Sequence, residues 1–120
     1  MTIQWDADIP IYIQLYQQVI TRILERNIQE GEALPSVRKV AAEYQLNPIT
    51  ISKAYQMLQD EQYVEKQRGK GLFVSTGAHQ RILASQREVF LASEWPLILQ
   101  KISRLNLSIE QLPTSTKEIN

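Results

Sequence analysis

Asn47-Pro48-Ile49-Thr50-Ile51-Ser52-Lys53-Ala54-Tyr55-Gln56-Met57-Leu58 is the stretch whose reading decides the fold. Asn47 is a strong helix N-cap, and Pro48 at the first helical position loses nothing by lacking an N–H and already has a helical φ. Ile51, Ala54, Tyr55 and Leu58 then recur at the spacing of one helix face. Just upstream, Leu34-Pro35-Ser36 is a helix-start signal, and Val37, Val40, Ala41 and Tyr44 repeat the same spacing. Two short helices joined by about three residues, the second sharply capped, describe a helix-turn-helix.

If that face of the second helix points inward, the opposite side carries Ile49, Ser52, Lys53, Gln56 and Gln59, with Asn47 and Thr50 near its start. Hydrogen-bonding groups, one cation and one apolar contact suit base edges, a thymine methyl and phosphate. A solvated helix face is the plain alternative, which an exposed Ile49 fits poorly.

On the C-terminal side, Tyr63-Val64-Glu65-Lys66-Gln67-Arg68-Gly69-Lys70-Gly71-Leu72-Phe73-Val74 changes period: two β-prone runs flank a basic, Gly-rich tip, as in a hairpin. The tip lacks the spacing and strand-loop-helix context of a nucleotide-binding loop. As a wing, its glycines admit a sugar-phosphate backbone while Arg68 and Lys70 reach phosphate or the minor groove. On the N-terminal side, Ile11, Leu15, Val19, Ile23 and Ile28, widened by Ile20 and Leu24, predict an amphipathic helix from Pro10. It is expected to end between Asn27 and Gly31, with Gly31 supplying the left-handed closing residue.

Composition narrows the function. The 120 residues are 43% hydrophobic, enough for one small core. With no cysteine and a single histidine, His79, disulfides, thiolate metal sites and most histidine-based metal or nucleophile sites have nothing to be built from. No cofactor, no metal site and no catalytic group are expected. The N-terminus is acidic where a signal peptide is basic, and the apolar runs are short, so a cytoplasmic protein without membrane contact is expected. The formal net charge of zero hides a gradient: residues 1–34 carry two basic and five acidic side chains, residues 35–75 six and four. The helix-turn-helix and hairpin are the basic part.

Residues 79–92 contain Ile82, Leu83, Val89, Phe90 and Leu91, and residues 96–105 contain Leu97, Ile98, Leu99, Ile102 and Leu105. They predict two helices with a break at Ser93-Glu94-Trp95-Pro96, where Ser93 can cap. One small winged helix cannot cover all of so much apolar surface, so a second copy of the chain is expected to, through Leu83, Phe90, Leu97 and Ile98; the plain alternative is that these helices fold back on the first helix of the same chain. The fold class is therefore mainly α (α+β): a winged helix-turn-helix over residues 1–76, a two-helix dimerisation extension over 77–112, and a disordered tail over 113–120.

The runs Pro10-Ile11-Tyr12-Ile13-Gln14-Leu15, Gly31-Glu32-Ala33-Leu34-Pro35-Ser36-Val37-Arg38, Asn47 to Tyr55 and Arg68 to Val74 resemble, in order and spacing, the GntR family of bacterial transcription regulators. The Pro-Ile-Tyr opening and the Asn-Pro-x-Thr-x-x-Lys-Ala-Tyr segment look like its YtrA-type subfamily. The resemblance implies a homodimeric winged helix that binds double-stranded DNA at a palindromic operator, usually as a repressor. Carried over by position, it implies DNA contacts at Ser36, Arg38, Asn47, Pro48, Ile49, Thr50, Ser52 and Gly69; charge and position add Lys53, Arg68 and Lys70. Arg38 is the leading candidate, because its planar fork can grip a guanine edge or a phosphate with two hydrogen bonds. Its plain alternative is a surface ion pair with Glu43 or another carboxylate.

The chain departs from the family at Gln45 and Gln62, where glycine is usual. A left-handed backbone at either position costs a non-glycine residue on the order of 1 kcal/mol. His79, Arg87, Glu88 and Glu94 form no ligand-spaced cluster, so the sequence names no effector; the region between the C-terminal helices and the wings is where one is expected to act. Two other classes fit less well: a winged-helix module for protein contacts, favoured by the zero net charge, and a relative of the regulators that carry an aminotransferase-like domain, for which this chain is too short.

Overall fold

In the computed structural model, which describes residues 4–115, the first helix, α1, spans Ile11–Leu24. Pro10 leads into it without a side-chain cap; instead the Gln14 amide folds back. Its Oε1 accepts the Asp6 N–H at 2.8 Å, and its Nε2 donates to the carbonyls of Asp6 and Ile9. Gln14 thus fastens the preceding segment to the helix. The helix ends earlier than the periodicity predicts, and on a different residue. Arg26, at φ +63°, is the left-handed closure, with the Arg26 N–H on Ile23 O and the Asn27 N–H on Arg22 O at 2.8 Å. Gly31, at φ +87°, sits beyond it and sends its N–H to Val74 O instead.

The next two helices, α2 (Val37–Tyr44) and α3 (Pro48–Asp60), begin as expected. The Ser36 hydroxyl accepts the Lys39 N–H at 3.1 Å, and Asn47 Oδ1 accepts the Ile49 N–H at 2.9 Å. Between them Gln45 is left-handed at φ 55°, and the Leu46 N–H returns to Ala41 O. Helix α3 packs on both α1 and α2. Its Ile51, Ala54, Tyr55 and Leu58 are buried with Leu15, Val19, Ile20 and Ile23 of α1 and Val40 and Ala41 of α2. Each large apolar side chain sealed in this way contributes roughly 1.5–3 kcal/mol. The Tyr55 hydroxyl donates to Pro35 O at 2.8 Å, which ties α3 to the residue before the α2 cap.

Strands β1 (Val64–Gln67) and β2 (Gly71–Val74) pair antiparallel, Val64 opposite Val74 and Gln67 opposite Gly71. A tight turn with Gly69 at φ +76° joins them, the Lys70 N–H returning to Gln67 O. Residues 31–34 run along β2 without forming a strand, held by one bridge and backbone hydrogen bonds. Leu34 N–H bonds Leu72 O, Val74 N–H bonds Glu32 O, and Ala33 bridges Phe73. Val64, Val74 and Leu34 join the core.

Helix α4 spans Ala78–Val89, and its Ala78 and Ile82 are wholly buried. The first compact unit therefore runs to Leu83, seven residues past the 76/77 boundary that the sequence suggests, and the second begins at Ala84. Within the second unit, the expected break at residues 93–96 is absent. One π turn, Phe90–Glu94, runs straight into α5, Trp95–Arg104, and Ser93 is not a cap. Proline causes this: Pro96 has no N–H for the carbonyl four residues back, and its ring crowds that turn. Widening the preceding turn, with the Trp95 N–H on Phe90 O, relieves the crowding without ending the helix. Asn106, left-handed at φ 56°, closes α5, and a short 3₁₀ turn follows at Ile109–Gln111. Of the expected tail, residues 116–120 lie outside the described residues.

Candidate nucleic-acid interface

The outer face of α3 is assembled by what its inner face buries. With Ile51, Ala54, Tyr55 and Leu58 turned into the core, Ile49, Ser52, Lys53 and Gln56 emerge exposed; Ile49 is 64% exposed, a large apolar side chain held in water. Thr50 is half-buried beside them. Gln56 is partly engaged, its amide donating to Asp60 Oδ1 at 2.8 Å. Lys53 is positioned as well as exposed: its Nζ lies 5.6 Å from the centroid of the Tyr12 ring. A cation over a ring face is attracted by the ring quadrupole. The Tyr12–Lys53 contact went unread in the sequence, where Tyr12 stood out only within the Pro-Ile-Tyr opening.

Two of the expected contact residues have a second task. Ser36 and Asn47 cap α2 and α3 through their side-chain oxygens, which leaves the Ser36 hydroxyl proton and the Asn47 NH₂ for an outside acceptor. Arg38 follows in the first turn of α2. It is exposed and, among the described residues, in no ion pair, so the expected alternative of an Arg38–Glu43 bridge does not form.

The wing adds charge without bulk. Arg68, Gly69 and Lys70 are all exposed at the tip, and β1 runs against α3. A Cβ on Gly69 meets nothing within 4 Å, so glycine is required there by its positive φ and not by crowding. Pro48 starts α3, where its ring is exposed.

The residues singled out for the dimer divide. Leu83 is half-buried at the end of the first unit, whereas Phe90, Leu97 and Ile98 are 40%, 65% and 40% exposed in the second. Phe90 leans on Trp95, ring centroids 6.1 Å apart. Among the described residues no group of three or more metal-binding side chains occurs, and no helix is long and apolar enough to cross a membrane.

Comparison with known proteins agrees with this geometry. Residues 11–74 match the model of the bacterial regulatory proteins of the gntR family. The transcriptional repressor YtrA of Bacillus subtilis is 32% identical over 111 residues, 92% of this chain and 85% of its own length. The uncharacterised regulator YhcF of the same organism is 35% identical over 75 residues, and this chain spans only 62% of it. A transcriptional regulator from Oenococcus oeni superposes with a TM-score of 0.72 at 27% identity, covering 87% of this chain and 84% of its own. A helix-turn-helix with a wing, matched across that whole segment and joined to a YtrA-like remainder, places the chain in the GntR family of transcriptional regulators, as a homologue of YtrA.

Proposed function

We propose that this chain represses transcription by occupying, as a homodimer, a palindromic operator that overlaps a promoter. The observation that carries the reading is the outer face of α3, polar and cationic around an exposed Ile49, together with the basic wing tip and an exposed Arg38 that is in no ion pair among the described residues. In this reading α3 enters the major groove. Asn47, Pro48, Ile49, Thr50 and Ser52 meet base edges and the adjoining phosphates, and Arg38 binds a guanine edge or phosphate through its fork. Ser36, Lys53, Arg68, Gly69 and Lys70 meet the sugar-phosphate backbone, which fixes register and makes binding salt-dependent.

Support for the dimer comes from α5. Its apolar stripe has no buried residue, and Leu97 is the most exposed large side chain on it. An isologous pairing of Phe90, Leu97 and Ile98, with Leu83 at its margin, holds two α3 helices roughly 34 Å apart, or a multiple of that, matching half-sites on one side of the duplex. Such a regulator works in the cytoplasm, where the DNA is.

The test is selection of DNA by the purified protein from fragments of its source genome at roughly physiological salt, with light scattering on the same sample. Enrichment of an inverted repeat upstream of a few operons, by a dimer, is the expected result. No enrichment above random fragments assigns the winged helix to protein contacts instead.

A further inference from the structure

Between α1, α2 and the loop that joins them lies a cleft of about 150 Å³. Leu15 and Val19 of α1, Ile28 and Pro35 of the loop, Val40 and Tyr44 of α2 and Tyr55 of α3 give it an apolar wall. Two opposite charges line it as well, Arg22 from α1 and Glu43 from α2. Among the described residues neither is in an ion pair. Arg22 is half-buried, and its charge acts on the buried Tyr55 phenol, opposing the rise to about 12 that burial imposes.

The cleft is open on one side and also lined by Gln18, so its apolar wall suits only a compact apolar body, of a few carbons, with polar groups left at the rim. The two unlike charges narrow the choice further. A neutral guest leaves both unmatched, an anion faces Glu43, and a cation faces Arg22. A zwitterion matches both, with a carboxylate on the guanidinium fork and an ammonium on the carboxylate. We propose that this cleft binds a small zwitterion with a compact apolar body, of the class of the branched-chain α-amino acids, and that occupancy regulates the DNA-binding face. The regulatory half rests on the function proposed above; the binding half does not.

The coupling has a short route. Tyr55, in the cleft wall, holds Pro35 O through its hydroxyl, and Pro35 precedes the Ser36 cap and Arg38. A guest bridging Arg22 and Glu43 links α1 to α2 directly, and so favours one placement of α2 over others. A ligand shifts such an equilibrium only through unequal affinity for the two placements, and the effect is reciprocal.

The test is a titration of the ¹⁵N-labelled full chain followed by amide NMR, with L-leucine as the probe. The arms are 4-methylpentanoate, which lacks the ammonium, and 3-methylbutylamine, which lacks the carboxylate. Saturable shifts along residues 15–28 and 40–44 with leucine are expected, with each single-charge probe weaker by about tenfold or more. Arg22→Gln and Glu43→Gln each weaken leucine by a similar factor, and the same spectra report that both variants are folded. No saturable shift with leucine, or leucine binding no tighter than a single-charge probe, overturns the site. Saturating leucine is then expected to change the affinity for a selected operator about fivefold or more. An unchanged operator affinity, with the NMR shifts intact, overturns the regulatory half alone.

Discussion

Helices α3 and α5 are both short and amphipathic, and both carry a proline in the first turn, yet the chain treats them in opposite ways. Of α3, Ile51, Ala54 and Leu58 are wholly buried and Tyr55 nearly so; of α5, no residue is buried. The apolar face of α3 is completed by α1 and α2, so its polar face is what remains to act. The apolar face of α5 is not completed by the second unit, so that face itself is what remains. An amphipathic helix therefore has two readings, and only the partner of its apolar side decides between them.

The largest expected effect tests that asymmetry in stability. Ile51→Ala empties a fully enclosed site and is expected to cost about 2–5 kcal/mol in denaturant unfolding. Leu97→Ala, at a side chain 65% exposed, is expected to leave the unfolding of a dilute, monomeric sample almost unchanged. Equal losses from both break the comparison. Its counterpart is association: Leu97→Glu is expected to cost about 2 kcal/mol or more of dimer affinity, giving monomers by light scattering and weaker operator binding. A Leu97→Glu protein that stays dimeric moves the interface off α5.

Next in size is the division of labour on the polar side. Arg38→Ala is expected to lose about 1–3 kcal/mol on a specific site and to relax sequence preference. Lys70→Ala is expected to weaken specific and random DNA alike and to flatten the salt dependence by about one contact. The same ratio of specific to random binding in both variants contradicts this division.

Smaller again is a backbone effect that both regions share. Gln45 and Asn106 are left-handed where α2 and α5 end. Asparagine tolerates this conformation through its short polar side chain, and glutamine does not. Gln45→Gly is therefore expected to stabilise by about 1 kcal/mol and to raise the melting temperature, whereas Asn106→Gly is expected to gain less. A destabilised Gln45→Gly shows that the glutamine side chain holds something the backbone does not.

These cases also mark where the fold was legible in the sequence. The spacing of Ile51, Ala54, Tyr55 and Leu58 and the Asn47-Pro48 cap located α3 and its two faces, because burial and capping leave local patterns. The hairpin was legible through its change of period and its glycines. The bridged segment at residues 31–34 was not, because backbone bonds to β2 hold it and its few side chains carry no alternation to read. Arg26 was passed over in favour of Gly31, since a left-handed arginine has no sequence signature. Pro96 was read as a break because a π turn absorbs a proline without any change in composition. At the candidate site, Arg38, Ile49 and Ser52 are exposed, as expected opposite the buried faces of their helices, while the hold of Tyr12 on Lys53 crosses from α1 to α3 and no periodicity announces it.

The smallest expected effect lies inside the first unit, where α4 begins. Glu30, fully exposed, accepts the Gly77 N–H at 2.8 Å and the His79 N–H at 3.2 Å, and so caps the start of α4 from a distant loop. His79 returns the contact, its Nε2 donating to Leu24 O at 3.1 Å. Those backbone N–H groups hold the Glu30 carboxyl below its ordinary value of 4.5, with the charges of His79 and Arg26 adding to the effect. A carboxylate lowered by folding stabilises the fold above its unfolded value, and the contribution is lost as the pH falls through the folded value. Glu30→Gln is thus expected to be less stable than the parent at neutral pH and to converge on it in acid, read as melting temperature against pH. Amide exchange at Gly77 and His79 should quicken in the variant while Ile51 and Leu58 stay protected, since the clasp fastens the entry of α4 and not the core beneath α3. If Ile51 and Leu58 lose protection as well, the entry of α4 is not separable from the core, and Glu30 supports the whole first unit that Ala78 and Ile82 help to fill.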